Sequence, residues 1–258
     1  GRSNVNVNRR ALMADGSWFL GINPDGPSDK TVAVVKFETL SGSPIAILVN
    51  YAVHGTGMGQ ENYEITADVP GATSRFVEQQ YGDQVVVPWT SGAAGDQCPI
   101  YDRSPKRFDG VMAIGRLLGE EVIRVAGTIQ TSPRVSIRGA QKVLTCPGQK
   151  LTPGPARRKE YQFLDSNPVD VRLSLLMIDK ITLAGVSGEV LTMIGQRVKR
   201  KSRFPNTIMI THCRGSSGYL PDDEAYKQVS YEIYTAKVKP GCAEKGIIQG
   251  LLELMRKN

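Results

Sequence analysis

Two pairs of apolar runs in the chain predict β-structure. Residues 31–37 and 45–50 are rich in β-branched side chains, and the stretch between them contains Ser, Gly and Pro. Two such runs joined by a Gly-containing loop predict a β-hairpin. Apolar and polar residues alternate from 169 to 175, and a second apolar run follows at 181–186. This period of two predicts an antiparallel pair of strands with one buried face.

Other segments have the signals of helices and loops. Residues 109–126 have apolar side chains at helical spacing, and Asp68 followed by Pro70 is typical of a helix start. A short strand is expected at 85–87. The Pro and Gly residues of segment 145–159 predict a surface loop.

The last third of the chain is predicted to contain a helix from Val190, a strand at 207–211 and a terminal helix at 243–255. Strands and helices thus mix without a strict βαβ alternation. We therefore expect an α/β (α+β) fold, with a mixed β-sheet and packed helices in a single domain.

Composition narrows the class of protein. The chain has 258 residues, of which 40% are hydrophobic and 22% are charged, as in an ordinary globular protein and unlike a disordered or fibrous one. The net charge is +7, and Lys199, Arg200, Lys201 and Arg203 form the densest basic run. Such a run either meets phosphates or acidic lipid headgroups, or is a solvated helix end.

The four cysteines form no CxxC pair, which excludes a zinc knuckle and leaves one or two disulfides open.

Candidate chemistry is sparse. The Walker loop and the GxGxxG, GxSxG and HExxH motifs are all absent. His54 and His212 each follow an apolar strand, where a histidine either holds a metal, transfers a proton or is merely hydrogen-bonded at a sheet edge. Glu189 lies at a strand-to-helix junction and could simply cap the helix. Cys98 ends a run of small residues that would let a substrate approach the backbone.

Seven motifs appear in one order along nearly the whole chain. They are Asn6-Val7-Asn8-Arg9-Arg10, Asn50-Tyr51-Ala52-Val53-His54-Gly55-Thr56, Ala67-Asp68-Val69-Pro70-Gly71, Gly95-Asp96-Gln97-Cys98-Pro99, Gly188-Glu189, Gly218-Tyr219-Leu220-Pro221, and Ala225-Tyr226 with Tyr231-Glu232. In these motifs the chain resembles the neutral ceramidase family, also called neutral/alkaline non-lysosomal ceramidases.

The resemblance implies an enzyme and a site. Members of that family are zinc amidases that cleave the N-acyl bond of ceramide. The matching positions imply that His54, Glu189 and Tyr219 are three of the four protein ligands of a zinc ion. Nitrogen and hard oxygen ligands suit a catalytic zinc, which lowers the pKa of a bound water to about 7. Arg9 and Tyr231 match the family's substrate-contacting Arg and Tyr, and would stabilise the oxyanion.

The chain departs from the family pattern in two places. The family's first zinc histidine lies upstream of the Asn-Val-Asn-Arg motif, where this chain begins. Residues 1–258 are therefore expected to be a C-terminal portion of the catalytic domain that lacks its N-terminal part and binds zinc weakly alone. Cys98 stands where the family has its catalytic serine, so it either preserves covalent chemistry or abolishes the supporting role of a hydroxyl.

Partners and an alternative function follow from the same comparison. The expected partners are an N-acyl lipid substrate, a membrane surface and the missing N-terminal segment of the same protein, and no nucleic acid. The resemblance implies a secreted or periplasmic protein. The alternative is a non-catalytic module that keeps the fold and binds lipids or polyanions through its basic surface.

Overall fold

Strands and helices follow one another irregularly along the chain. A computed structural model describes residues 1–59, 61–100, 107–153 and 161–257. The strands are β1 (Asn6–Leu12), β2 (Trp18–Asn23), β3 (Ala33–Glu38), β4 (Pro44–Tyr51), β5 (Trp89–Ser91), β6 (Gln97–Pro99), β7 (Ile137–Leu151), β8 (Phe163–Ile178), β9 (Ile181–Val186), β10 (Glu189–Val190), β11 (Asn206–Ile210) and β12 (Tyr219–Leu220). The helices are α1 (Asp68–Gln80), α2 (Arg107–Ala126), α3 (Thr192–Lys201), α4 (Tyr231–Tyr234) and α5 (Ala243–Lys257), with a 3-10 turn at Ala225–Lys227. Mixed sheets with packed helices confirm the predicted α+β class.

The chain folds into two compact units. Unit 1 contains Gly1–Val7, Lys30–Ser91 and Gln97–Val135. Unit 2 contains Asn8–Asp29, Gly92–Asp96 and Ser136–Asn258. Each unit is thus assembled from three stretches of sequence. That residues 1–258 are one catalytic domain stays a prediction.

Unit 1 is built on the predicted hairpin. β3 and β4 pair antiparallel, and β5 runs parallel to β4, so the hairpin is confirmed. The strand expected at 85–87 is reduced to a single bridge between Val86 and Ala46. α1 and α2 pack against each other where Gly115 meets Ala72. Their approach is close, since a Cβ added at Gly115 would lie 2.5 Å from the Ala72 Cβ. Ile47, Ile114 and other buried apolar residues form the core of this unit.

Unit 2 contains a four-stranded mixed sheet in the order β11-β9-β8-β7. β8 is antiparallel to both β7 and β9, while β11 is parallel to β9. The predicted strand pair at 169–186 is therefore confirmed. α5 packs on β7, β8 and α3, and the core contains Leu173, Met177, Ile194 and Ile247.

The surface loop predicted at 145–159 is wrong in its first half. Residues 145–151 belong to β7, and residues 154–159 lie outside the described residues. The register between β7 and β8 shifts between Cys146 and Gly148. Because β7 is an edge strand, Pro147 can sit at this bulge without breaking the sheet.

One disulfide is present among the described residues. It joins Cys146 of β7 to Cys242, just before α5, across 96 residues of sequence. In the same described ranges no helix is long and apolar enough to cross a membrane.

Candidate active site

Two of the three predicted metal ligands lie side by side in unit 2. β10 pairs parallel with β12, so that Glu189 is the register partner of Tyr219. Each strand follows a glycine, and Gly218 has φ +77°, a conformation that favours glycine. The Gly218 carbonyl accepts a hydrogen bond from the Glu189 N–H at 2.9 Å. The short strand pair therefore brings a carboxylate and a phenol together.

Tyr219 links Glu189 to Arg9. Its hydroxyl donates a hydrogen bond to the Glu189 carboxylate and accepts one from Arg9 Nη2 at 2.8 Å. Tyr219 is only 8% exposed. Burial, helped by the Glu189 carboxylate and opposed by Arg9, raises the pKa of Tyr219 well above its ordinary value. The phenol is therefore protonated at neutral pH.

Arg9 projects from β1 and is buried among acceptors. Its Nε donates to Glu232 Oε1 at 2.7 Å, and its Nη2 donates to the Gly95 carbonyl at 2.9 Å as well as to Tyr219. Although burial opposes the charged form, Glu232 and Tyr219 raise the pKa of Arg9. The guanidinium is therefore a permanent buried cation.

Tyr231 completes this group from α4. Its ring meets the Tyr219 ring edge to face, with centroids 5.7 Å apart. The Arg9 guanidinium carbon lies 5.7 Å from each of these two ring centroids, within cation–π range. The four residues Arg9, Glu189, Tyr219 and Tyr231 thus form one cluster within unit 2.

Two members of this neighbourhood were not recognised as site residues from the sequence. Glu232 and Arg10 appeared only as parts of matched motifs, yet Glu232 is fully buried and Arg10 is 7% exposed. Arg10 Nε donates to Ser230 Oγ at 2.9 Å and lies 3.8 Å from Glu232 Oε2. Adjacent arginines and a carboxylate more than 200 residues away give no local sequence signal for such a contact.

Asp96, and not Glu189, accepts the hydrogen bonds at the start of α3. Oδ1 of Asp96 accepts hydrogen bonds from both the backbone N–H and the hydroxyl of Thr192, at 3.0 and 2.7 Å. An acceptor at these positions is what the first turn of α3 requires. Asp96 therefore caps α3, and Glu189 lies on β10 with its carboxylate on Tyr219.

His54 and Cys98 belong to unit 1, where Gln97 links them. The Gln97 carbonyl lies 3.0 Å from His54 Nδ1 and accepts from the His54 backbone N–H at 3.3 Å. Since a carbonyl oxygen can only accept, the ring hydrogen is on Nδ1, and a neutral imidazole has its lone pair on Nε2. Cys98 follows Gln97 in β6 and is 3% exposed.

A buried carboxylate supports the loop after His54. Asp68 accepts from the Gly57 N–H at 3.0 Å and from the Met58 N–H at 2.9 Å, and also from the Val69 N–H at 2.7 Å. One side chain therefore joins the start of α1 to the glycine-containing turn that follows His54.

The structure accordingly brings together Arg9, Glu189, Tyr219 and Tyr231 in unit 2, and His54 and Cys98 in unit 1. That His54 converges with Glu189 and Tyr219 stays a prediction. Within the described ranges, no three His, Cys, Asp or Glu side chains are grouped so as to hold a metal ion. The predicted ligand set contains two such residues and a tyrosine. His212 is exposed with φ +55°, and its backbone N–H donates to the Gly188 carbonyl at 3.3 Å, one residue before Glu189.

The basic run at 199–203 is partly engaged inside unit 2. Lys199 pairs with Asp29 at 2.6 Å, and Arg203 donates to the Met255 carbonyl at 2.8 Å. Arg200 and Lys201 are exposed at the end of α3, where cations favour the helix dipole. The solvated helix end is therefore a sufficient description of this run.

Comparisons with known proteins confirm the resemblance. No family model matches the chain. Over 94 residues the chain is 31% identical to neutral ceramidase A of Dictyostelium discoideum, a stretch that is 34% of this chain and 12% of that protein. A solved ceramidase complexed with C2 matches 99% of the chain with a TM-score of 0.79 and 16% identity. Neutral ceramidase from Pseudomonas aeruginosa also matches 99% of it, with a TM-score of 0.78 and 16% identity.

The matches extend over only part of the related proteins. The chain covers 52% and 50% of the two solved structures, and thus spans about half their length. At 16% identity, the structural similarity establishes a ceramidase-like fold.

Proposed function

We propose that this chain carries part of the active site of a zinc-dependent amidohydrolase that cleaves the N-acyl amide bond of ceramide or a related N-acyl lipid. The observation that carries the proposal is the buried cluster of Arg9, Tyr219 and Glu189, within a fold that resembles solved ceramidases. A buried arginine beside a tyrosine and a carboxylate combines oxyanion stabilisation with metal ligation, and amide hydrolysis requires both.

The donor atoms of this chain suit zinc. Glu189 and Tyr219 offer two oxygen ligands on paired strands. His54 would add an imidazole nitrogen, and its Nδ1–H already bonds a backbone carbonyl, the usual orienting contact of a zinc-bound histidine. We propose these three residues as zinc ligands. Zinc bound to them would lower the pKa of a water ligand and polarise the substrate carbonyl.

Arg9 and Tyr231 would act on the substrate oxygen. Hydrolysis places negative charge on the oxygen of the amide carbonyl, and donors fixed beforehand stabilise that charge. Arg9 is fixed by three acceptors, while no described residue accepts from its Nη1. We propose that Nη1 donates to the developing oxyanion and that Tyr231 contacts the same substrate group.

The direct test measures zinc content and N-acyl hydrolysis of the full-length protein that contains this chain. Wild-type protein should bind zinc stoichiometrically and release fatty acid from a short-chain ceramide, with activity lost on chelation. Tyr219→Phe and Glu189→Gln should each lower zinc affinity or activity by at least about tenfold.

A matched control separates this role from general damage. Tyr226 is also a tyrosine of unit 2, it is partly buried, and its hydroxyl donates to the Val238 carbonyl. Tyr226→Phe should leave zinc affinity unchanged. The proposal fails if activity survives chelation, or if Tyr219→Phe behaves like Tyr226→Phe in both measurements.

A further inference from the structure

Glu232 is a buried carboxylate whose two oxygens have different partners. Oε1 accepts from Arg9 Nε at 2.7 Å. Oε2 accepts from Ser230 Oγ at 2.7 Å and lies 3.8 Å from Arg10 Nε. The side chain has no exposed surface. Ionic hydrogen bonds at this distance are the strong ones, and they fix geometry best when water is excluded.

The short ionic contact of Glu232 is with Arg9. Arg10 is already satisfied by neutral acceptors, because its Nε donates to Ser230 Oγ and its Nη2 donates to the carbonyls of Ala225 and Gln228, each at 2.8 Å. Arg9 Nε, by contrast, has Glu232 as its described partner. Loss of this carboxylate would therefore affect Arg9 first.

This contact determines the plane of the Arg9 guanidinium. The group is planar, so bonds from Nε to Glu232 and from Nη2 to Gly95 and Tyr219 leave no rotation about its long axis. The two Nη1–H donors have no acceptor among the described residues. They belong to a side chain that is only 8% exposed. A donor pair that is fixed in orientation, accessible to solvent and without an acceptor among the described residues is a position for an oxygen atom of a ligand.

We propose that Glu232 is a positioning residue for hydrolysis, holding Arg9 so that the Nη1–H groups meet the oxygen of the scissile acyl group. This inference rests on the proposed function and deepens it. Glu232 itself would not touch the substrate. Its contribution would be realised in the transition state, where negative charge on that oxygen is largest, and would therefore affect kcat more than KM.

The test uses four single variants of the full-length protein and one double variant. Glu232→Gln keeps the shape of the side chain and removes its charge, whereas Glu232→Asp keeps the charge and withdraws it by one methylene. Arg9→Ala removes the group being positioned. Glu244→Gln removes a different carboxylate of unit 2, which pairs with Arg197. Circular dichroism and thermal unfolding of each variant establish how much protein is folded.

Kinetics on a short-chain N-acyl substrate give the first result. We expect Glu232→Gln and Glu232→Asp to lower kcat per folded molecule by about tenfold to a hundredfold, with KM within about threefold of wild type. Glu244→Gln should leave both constants unchanged. Adding Glu232→Gln to Arg9→Ala should cost nothing further, because the two residues act as one unit. An unchanged kcat in Glu232→Asp, or independent losses in the double variant, would overturn the proposal.

A binding measurement keeps the inference testable if the protein proves not to be an amidase. Hexanoate carries the carboxylate that Arg9 would bind, and calorimetry can measure its affinity. Both Glu232→Gln and Arg9→Ala should weaken hexanoate binding, and the double variant should match Arg9→Ala alone. If hexanoate binds wild type and Glu232→Gln equally well, the positioning role is wrong. If hexanoate does not bind wild type at all, Arg9 presents no oxygen site and the inference is equally wrong.

Discussion

The resemblance to neutral ceramidases implies that Cys98 stands at the position of that family's catalytic serine. It is buried in β6, immediately after Gln97, whose carbonyl accepts from His54. A thiol is a weaker hydrogen-bond donor than a hydroxyl and a better nucleophile once ionised. The substitution therefore changes which step this side chain can assist.

Substitutions at Cys98 test the two roles in the full-length protein. If the thiol is the nucleophile, Cys98→Ala should lower kcat by at least about a hundredfold, while Cys98→Ser should keep part of the activity. Turnover should also show an initial burst of amine release. Cys213→Ser, which changes a half-buried thiol in unit 2, is the control. Unchanged activity in Cys98→Ala would rule out a functional role for this thiol.

At the residue scale, the sequence motifs singled out Glu189 and Tyr219 but not the residues that support this cluster. Glu189 and Tyr219 were proposed as neighbours, and the β10–β12 pairing places them so. Asp96 and Glu232 were not singled out, although one caps α3 and the other holds Arg9. A supporting residue is defined by a contact made across the fold, and no spacing in the sequence reports that contact.

Gly95 packs directly against the backbone of β10. Its N–H donates to the Val190 carbonyl at 2.9 Å, and a side chain there would place its Cβ 2.8 Å from the Glu189 carbonyl oxygen. The second oxygen within reach belongs to Val190, at 3.0 Å. Only glycine lets this segment pack against the backbone of β10.

We therefore expect Gly95→Ala to displace β10 and to lower the free energy of unfolding by about 1–3 kcal/mol, the usual cost of overpacking. Because Glu189 lies on that strand, activity should fall more than stability alone explains. Gly139→Ala is a suitable comparison, since the nearest atom to its added Cβ is 3.4 Å away. Urea denaturation of both variants measures the difference, and equal midpoints would contradict this role of Gly95.

The disulfide fastens an edge strand to a helix. Cys146 lies at the bulge of β7, and Cys242 precedes α5, which packs on the same sheet. Cross-linking residues 96 positions apart restricts the unfolded chain strongly. The bond should thus contribute to stability beyond its local contacts.

Replacing both cysteines by alanine should lower the free energy of unfolding by about 2–5 kcal/mol. Urea denaturation in the absence of reductant measures this loss. Wild-type protein treated with dithiothreitol should show a similar decrease, whereas Cys213→Ser should be close to wild type. Identical denaturation of the double alanine variant and wild type would refute the contribution.

At the element scale, hydrophobic periodicity predicted strands and helices correctly, whereas proline and glycine residues wrongly indicated a loop. The alternation at 169–175 belongs to β8, and the apolar spacing at 109–126 belongs to α2. Pro147 and Gly148 signalled a loop, yet they form a bulge in β7. A breaker is compatible with a strand if that strand lies at an edge, and sheet order is not encoded locally.

Two partly buried tyrosines, Tyr226 and Tyr234, affect the stability of the protein at high pH. Burial, with the carboxylates of Asp223 and Asp222, raises the pKa of Tyr226, and burial with neighbouring tyrosines raises the pKa of Tyr234 to about 12. In the unfolded chain both groups ionise near pH 10. Above that pH the unfolded state therefore binds fewer protons than the folded state.

It follows that these two tyrosines stabilise the fold fully below about pH 10 and less as the pH rises beyond it. Urea denaturation at about pH 8, 9.5 and 11 should show a lower free energy of unfolding only at pH 11. Between about pH 9.5 and 11, the free energy of unfolding should fall less for Tyr226→Phe than for wild type. A parallel decline in the two proteins would mean that Tyr226 titrates equally in both states.

The division of the chain into two units could not be predicted from local sequence patterns. Hydrophobic periodicity reports which side of a strand is buried, but not what covers it. Ile47 and Leu173 both lie in strands that the sequence predicted, yet they belong to different cores. The predicted class of fold was accordingly reliable, while the grouping of its parts needed the three-dimensional structure.

The pairing of Arg9 with Glu232 has a consequence for the way this chain acquires its structure. The two partners are 223 residues apart, and a ribosome adds about 5–20 residues per second. Arg9 must therefore wait for roughly ten seconds or more after its own synthesis before its counterion exists. During that interval Arg9 cannot be buried in its final position, because an unpaired charge is too costly to bury. When the complete chain refolds, the same contact closes a loop of 223 residues, so the region around Arg9 should be among the last to become protected from hydrogen exchange.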